Sequence, residues 1–247
     1  LYSYHALAHL FRASQGGVNM SNLVRISIVL FSLFYLPAAF CSAANEEYQV
    51  LVSQDFTEVL AMSLTQNTSI TIIRTIPHSY SPDVHISYLK KHLKTFNENA
   101  IAADAVITVS EAWPDDPLYP WARRANIRIV PINISSPLDK SRAGVPLLSW
   151  PDNQNTIQPI WNSPGACARM ADIAAKDLIQ LFPSQRKKLE LNRDNLKRQL
   201  FKLRTKYEIA FGQLDSFEVI SLTPDFIYLT DEFGINIIQF FLRPEHR

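Results

Sequence analysis

Cysteine and glycine are scarce in this chain. Cys41 and Cys167 are the two cysteines among 247 residues, too few for a thiolate metal cluster. There are 6 glycines against 15 prolines. No G-x-G-x-x-G, Walker A, H-E-x-x-H or G-x-S-x-G sequence occurs, so the usual dinucleotide, phosphate-loop, zinc-protease and serine-hydrolase signatures are missing. No nucleophile–base signature replaces them, and the expectation is a protein without covalent chemistry. Charge of either sign is also not in excess, with 24 Lys+Arg against 23 Asp+Glu. That balance gives nucleic acid no general electrostatic attraction. A hydrophobic share of 47% with 19% charged residues is the composition of a folded chain, long enough for one large domain or two modest ones.

Acid is wholly missing from residues 1–44. Within them an apolar run extends from Ile26 to Phe40, after Arg25 and before the small residues Ser42, Ala43 and Ala44. A basic flank, a short apolar stretch and a small-residue exit describe a secretory signal peptide. The run is shorter than the ~20 apolar residues of a spanning helix, and Pro37 interrupts it. Met20 is the natural start, which makes 1–19 translated upstream sequence and 20–44 the signal, and the expected destination is the periplasm. Cys41 would be a lipid-anchor candidate, but Phe40 is large where such a site needs a small residue. Removing 1–44 takes 2 of the 24 basic residues and none of the 23 acidic ones, moving the formal charge from +1 to −1. It leaves Cys167 alone, which excludes an intrachain disulfide.

The remaining chain alternates strand-like and helix-like segments. Tyr48–Ser53, Ser69–Ile76, Ala105–Val109 and Ile127–Ile132 are nearly continuous in Val, Ile and other apolar residues, as strands buried on both faces should be. Helical stretches at Thr57–Leu64 and Asp83–Asn97 lie between them, the second with Val84, Tyr88, Leu89, Leu93 and Phe96 at helical spacing. This order predicts right-handed βαβ units and a parallel sheet over 45–163. A proline-rich loop follows at 135–164. Ser163 and Pro164 then open a helix to about Leu181, and Pro183 and Ser184 open a longer one to about Gln213. The longer helix carries an apolar stripe of Leu189, Leu196, Leu200, Leu203, Tyr207 and Phe211, expected in the core. Its ~29 residues would extend roughly 43 Å, the span of a two-lobed protein. Residues 214–247 restart the pattern with Phe217–Leu222, a helix near Phe226–Phe233 ended by Gly234, and Ile235–Phe241. The fold class expected is α/β, with two Rossmann-like lobes joined by a long backbone helix (164–213 as the helical linker) and the second lobe truncated.

Two loops carry chemistry. His78, in I-P-H-S-Y-S-P, follows a strand and precedes a helix, which is the carboxyl edge where parallel sheets bind ligands; a turn histidine bonded to backbone is the alternative. Ser110–Arg124 leaves the same edge with Glu111, Asp115, Asp116, Trp113, Tyr119 and Trp121. Carboxylates with aromatic walls suit a cation or a polar organic solute, and a rigid loop with its acids in water is the competing arrangement. His85 and His92 are seven apart, about 10 Å along a helix, where a metal pair uses i and i+4; they are read as surface or partly packed.

These blocks, in this order, resemble the zinc/manganese-type solute-binding proteins of ABC importers. The resemblance is carried by P-H-S-Y-S-P at 77–82, I-Q-P-I-W-N-S-P at 157–164 followed by A-R-M-A-D-I-A-A-K-D-L, N-R-D-N-L-K-R-Q-L on the long helix, and S-L-T-P-D-F-I-Y-L-T-D-E-F-G-I at 221–235. It implies two lobes on a rigid helix with a metal ion (Zn²⁺ or Mn²⁺ as transported cargo) in the cleft, and an ABC-transporter membrane permease as partner. It implies three histidines and a carboxylate as ligands. Of these His78 is present, Pro159 and Thr223 stand where two histidines are expected, and the fourth would follow Arg247. Glu111, Asp225 and His78 would then form an altered, oxygen-rich site suited to a harder ion. The alternative is a member that has lost the metal and binds an organic solute against Trp113, Trp121 or Trp161, or that serves as an accessory or adhesion protein.

Overall fold

The computed structural model of this protein describes residues 46–110, 112–148 and 159–241. The signal-peptide segment, Cys41, Glu111, His246 and most of the proline-rich loop's second half lie outside those residues. Among the described residues no helix is long and apolar enough to cross a membrane.

Four parallel strands form the first sheet: β1 (Tyr48–Val52), β2 (Ile70–Arg74), β3 (Ala105–Thr108) and β4 (Val130–Asn133), in the order β2-β1-β3-β4. All four expected strands are present, each shortened by a residue or more at one or both ends. Val50, Leu51, Val52 and all of β3 are buried, so their apolar continuity reflects cover on both faces. The two-residue period sorts them. Val50, Val52, Ala105, Ile107 and Ile132 face one core, and Leu51 and Val106 face the other.

Helix α1 (Asp55–Thr65) covers the first face with Leu60, Ala61 and Leu64. The second face is covered by α2 (His85–Lys91), α3 (Leu93–Ala102) and α4 (Leu118–Ala125), through Leu89, Phe96, Ala100, Leu118 and Ala122. The sequence predicts one helix over Asp83–Asn97, whereas the chain makes a 3-10 turn at Pro82–Val84 and then two helices broken at His92 (φ −112°, ψ 29°). The break has a packing reason. Leu93, next on the expected stripe, is exposed, and after the turn Phe96 and Ala100 take the core positions.

Helix α5 (Pro164–Leu181) starts where expected, with the Ser163 hydroxyl accepting the Ala166 N–H at 3.0 Å. Ala171, Ala174 and Ala175 let it lie close against the first core, where Met170 and Leu178 are also buried. Cys167 donates to the Trp161 carbonyl, and burial pushes its thiol up to about 12, which makes it inert. The long helix α6 (Arg186–Phe211) keeps only part of its stripe covered. Leu189 is buried and Leu196 and Leu200 pack on the core, but Leu203 is exposed. Tyr207 and Phe211 instead meet Phe233, at ring separations of 6.0 and 5.1 Å.

A second parallel sheet pairs β5 (Glu218–Ser221) with β6 (Asn236–Phe240) across a 3-10 turn at Pro224–Phe226 and the short α7 (Ile227–Glu232). Gly234 follows α7 at φ 65°, the left-handed conformation that closes a helix. Glu232 ties this unit to the first. Its carboxylate accepts the Gly165 N–H at 3.0 and 3.1 Å, the Ser163 hydroxyl, and a 3.2 Å ion pair from Arg204. A carboxylate at the start of an 18-residue helix meets unpaired N–H groups and the positive end of the dipole. At Gly165 an added Cβ would sit 2.8 Å from Glu232 Oε1, so a larger residue would push this carboxylate aside.

Asn192 joins α6 to the end of α1, donating to the Leu64 and Gln66 carbonyls at 2.8 Å each while nearly buried itself. Replacing Asn192 with Ala strands two carbonyls and is expected to lower stability by about 1–3 kcal/mol, read as a lower urea midpoint at unchanged slope. An unchanged midpoint would show that α6 is held without this contact.

Candidate functional site

A cavity of about 340 Å³ opens at the carboxyl ends of β1 and β2. The strand order reverses its connections between β1 and β3, the position at which parallel sheets gather ligands, and the cavity borders it through Ser53 and Trp113. Ser53, Gln54 and Asp55 follow β1, Arg74 ends β2, and His78 and His85 come from the loop and helix after it. Trp113 follows β3, and Trp161 comes from the turn before α5.

At one wall four charged or ionisable groups converge. His78 Nδ1 is 2.7 Å from Asp55 Oδ1, and its Nε2 is 3.4 Å from Glu58 Oε2. The same two oxygens each take a 2.7 Å bond from Arg74, Nη2 to Asp55 and Nη1 to Glu58. Arg74 also donates from Nε to the Ile76 carbonyl, so its planar fork is used on three sides. The hydrogen bond from His78, and behind it Arg74, holds the Asp55 carboxyl below its ordinary range. Asp55 and Glu58 stand three apart in the first turn of α1, which puts both on one helix face, and Asp55 lines the cavity.

Asp55, Glu58 and His78 can each offer one ligand atom, all within 4.8 Å of one another. Imidazole nitrogen with carboxylate oxygens is a borderline-to-hard donor set, suited to zinc or manganese. Binding an ion requires the set to contract, since such bonds are about 2.0–2.2 Å long, and the oxygens nearest His78 are the ones Arg74 holds.

The other walls are aromatic. Phe56 stacks on Trp161 with centroids 5.4 Å apart at 15°, and His85 tilts against Trp113 at 5.7 Å. The sequence reading leaves His85 on the surface or partly packed; it is 2% exposed. Burial depresses its pKa and so favours the neutral ring, opposed by a bond to the Tyr80 backbone. His92 is exposed and stacks on Tyr88.

Of the residues singled out in the sequence, His78, Trp113 and Trp161 meet at this cavity. Thr223 and Asp225 do not line it. Thr223 caps the 3-10 turn by accepting the Asp225 N–H at 3.3 Å. Asp225 contributes its main-chain oxygen, which accepts the Asn162 amide at 2.7 Å, while its side chain is exposed. Glu111 lies outside the described residues. Trp121 packs on the second core with Arg124 over its ring, away from the cavity. Sequence reasoning missed Asp55, Glu58 and Arg74. The edge rule that found His78 applies equally to them, since they end β2 or open the helix after β1.

Asp116 lies beneath this wall, 4% exposed, accepting the Leu118 N–H at 3.0 Å. Burial raises its pKa, partly offset by bonds from the Leu118 N–H and the Ser53 hydroxyl. A raised folded-state pKa means the folded protein holds the proton longer. This group therefore favours folding most fully below its unfolded pKa, and that contribution is lost as pH rises through the folded value. Asp116→Asn should accordingly flatten the fall in stability above the ordinary carboxylate range, checked by thermal melts at a series of pH values from about 4 upward. A steeper fall in the variant would contradict it.

No protein-family model matches the chain, and no curated protein matches it by sequence. Solved structures do match. A zinc-bound deletion mutant of ZnuA aligns with 80% of this chain and 71% of its own, at 18% identity and a TM-score of 0.59. The metal-dependent lipoprotein YcdH from Bacillus subtilis aligns with 80% and 68%, at 16% identity and 0.60. A manganese-bound periplasmic metal-binding protein from Candidatus Liberibacter asiaticus aligns with 81% and 71%, at 14% identity and 0.62. The chain therefore shares the fold of these three proteins.

Proposed function

We propose that this chain is the solute-binding component of an ABC importer, exported to the periplasm, and that its cargo is a divalent metal ion of the zinc or manganese kind. The observation that carries the reading is the pair His78 and Asp55 on the wall of one cavity at the carboxyl edge, with Glu58 offering a third ligand atom within 4.8 Å of theirs. The solved structures sharing this fold are described as zinc-bound, manganese-bound or metal-dependent, which supports it. The mechanism is capture and release to a membrane permease, with no bond made or broken in the cargo, so the chain is not an enzyme.

The ligand set differs from the one the family resemblance implies. His78 is shared, while two carboxylates from α1 stand in for the histidines replaced by Pro159 and Thr223. Oxygen donors shift preference toward harder ions, which favours manganese more than a site of three histidines would. A second reading has its own observation: the stacked Phe56 and Trp161, with Trp113 also in the lining, give a cavity larger than a bare ion needs. A compact organic solute would use those faces.

Metal content of the purified chain, prepared without chelator and followed by calorimetric titration with zinc and manganese, separates the two. Near-stoichiometric binding of one ion is expected, with His78→Ala weakening it by about tenfold or more, because one of few ligands is removed. Absence of bound metal and of any titration heat would transfer the reading to the organic solute.

A further inference from the structure

The carboxylate oxygens that would ligate the cargo are already bonded to a cation. Arg74 reaches Asp55 Oδ1 and Glu58 Oε2 at 2.7 Å each, from a side chain only 13% exposed. It cannot drift off as a surface lysine would, because its third donor is fixed on the Ile76 carbonyl and its backbone ends β2 within the sheet. Two carboxylates without Arg74 would repel one another and attract any cation. With it, one positive charge is fixed between them.

We infer that Arg74 is a tethered competitor for the cargo: its guanidinium pairs with the ligand oxygens, and a divalent ion binds by displacing it. The inference rests on the metal reading of the cavity.

Charge decides which ions succeed. A monovalent ion that replaced Arg74 would exchange one unit charge for another, and would forfeit the bidentate geometry that suits a guanidinium to carboxylates. A divalent ion brings twice the charge to the same oxygens and adds a bond to the His78 ring nitrogen. The arginine thus rejects sodium and potassium and weakens every divalent ion. A cavity that must release its cargo to a permease gains from that weakening, since an ion held too tightly is not delivered. The displaced guanidinium stays on its strand end, ready to return to the carboxylates as the ion leaves.

The test is titration of zinc and manganese into the wild-type chain and into Arg74→Gln and Arg74→Lys, with and without potassium chloride. Arg74→Gln keeps a hydrogen-bonding side chain but removes the charge, and should bind the divalent ions about tenfold or more tightly. Potassium should then weaken zinc binding by that variant and leave the wild type nearly unaffected. Arg74→Lys keeps the charge without the fork, and should lie between the two. Far-ultraviolet circular dichroism confirms that each variant is folded, and Arg74→Lys carries the comparison if Arg74→Gln is not. A wild type that binds metal, with variants that bind no tighter or more weakly, overturns the competitor and leaves the metal reading standing. A wild type and variants that all fail to bind metal overturn both.

Discussion

The cavity depends on one ion-pair arrangement, Arg74 held between Asp55 and Glu58. β1 and β2 end side by side in register, with Val52 opposite Arg74. The helix that leaves β1 therefore opens directly over the end of β2. Any carboxylate in its first turn meets whatever residue ends the neighbouring strand. With arginine there, two carboxylates share one wall without repelling each other, and His78 can approach both. An apolar residue at position 74 would leave the acids unbalanced and the His78 loop without its anchor.

The rest of the molecule holds those strand ends still. Two hydrophobic cores sandwich the sheet, and the alanine-lined face of α5 brings that helix close to it. Asn192 fastens the long helix to the end of α1, opposite to the end that carries the acids. Glu232 fastens the second sheet unit to the start of α5 through Gly165, Ser163 and Arg204. The charged wall thus stands on rigid elements, while the residues left free to move are side chains: His78 and Asp55 are largely exposed. That division suits binding and release better than it suits chemistry demanding a fixed geometry.

How much of this was legible in the sequence follows from the kind of signal involved. The four strands of the first sheet were readable because burial on both faces leaves a nearly unbroken Val/Ile run. Ser163 and Pro164 announced α5, since capping is a local matter. His78 was found by its position after a strand. The break at His92 was not, because its cause is which side chains reach the core, and helical spacing continues through it. The long helix was read correctly in its first half, but the stripe beyond Leu200 leaves the core, which spacing alone does not reveal. Asp55 and Glu58 escaped because acids in a first turn are ordinary helix chemistry. Only the partner strand's final residue makes them a site, and that pairing is a tertiary fact. Thr223 was carried over from the family pattern and Asp225 was offered as a ligand of an altered site; in this chain they serve a turn and a backbone contact.

Anomalous diffraction from crystals grown with zinc or manganese tests the central claim most directly. The account predicts one strong peak about 2.0–2.3 Å from a ring nitrogen of His78 and from carboxylate oxygens of Asp55 and Glu58, with Arg74 turned away from both acids. A cavity without a peak and with Arg74 still seated between the carboxylates, or a peak held by other residues, would contradict it.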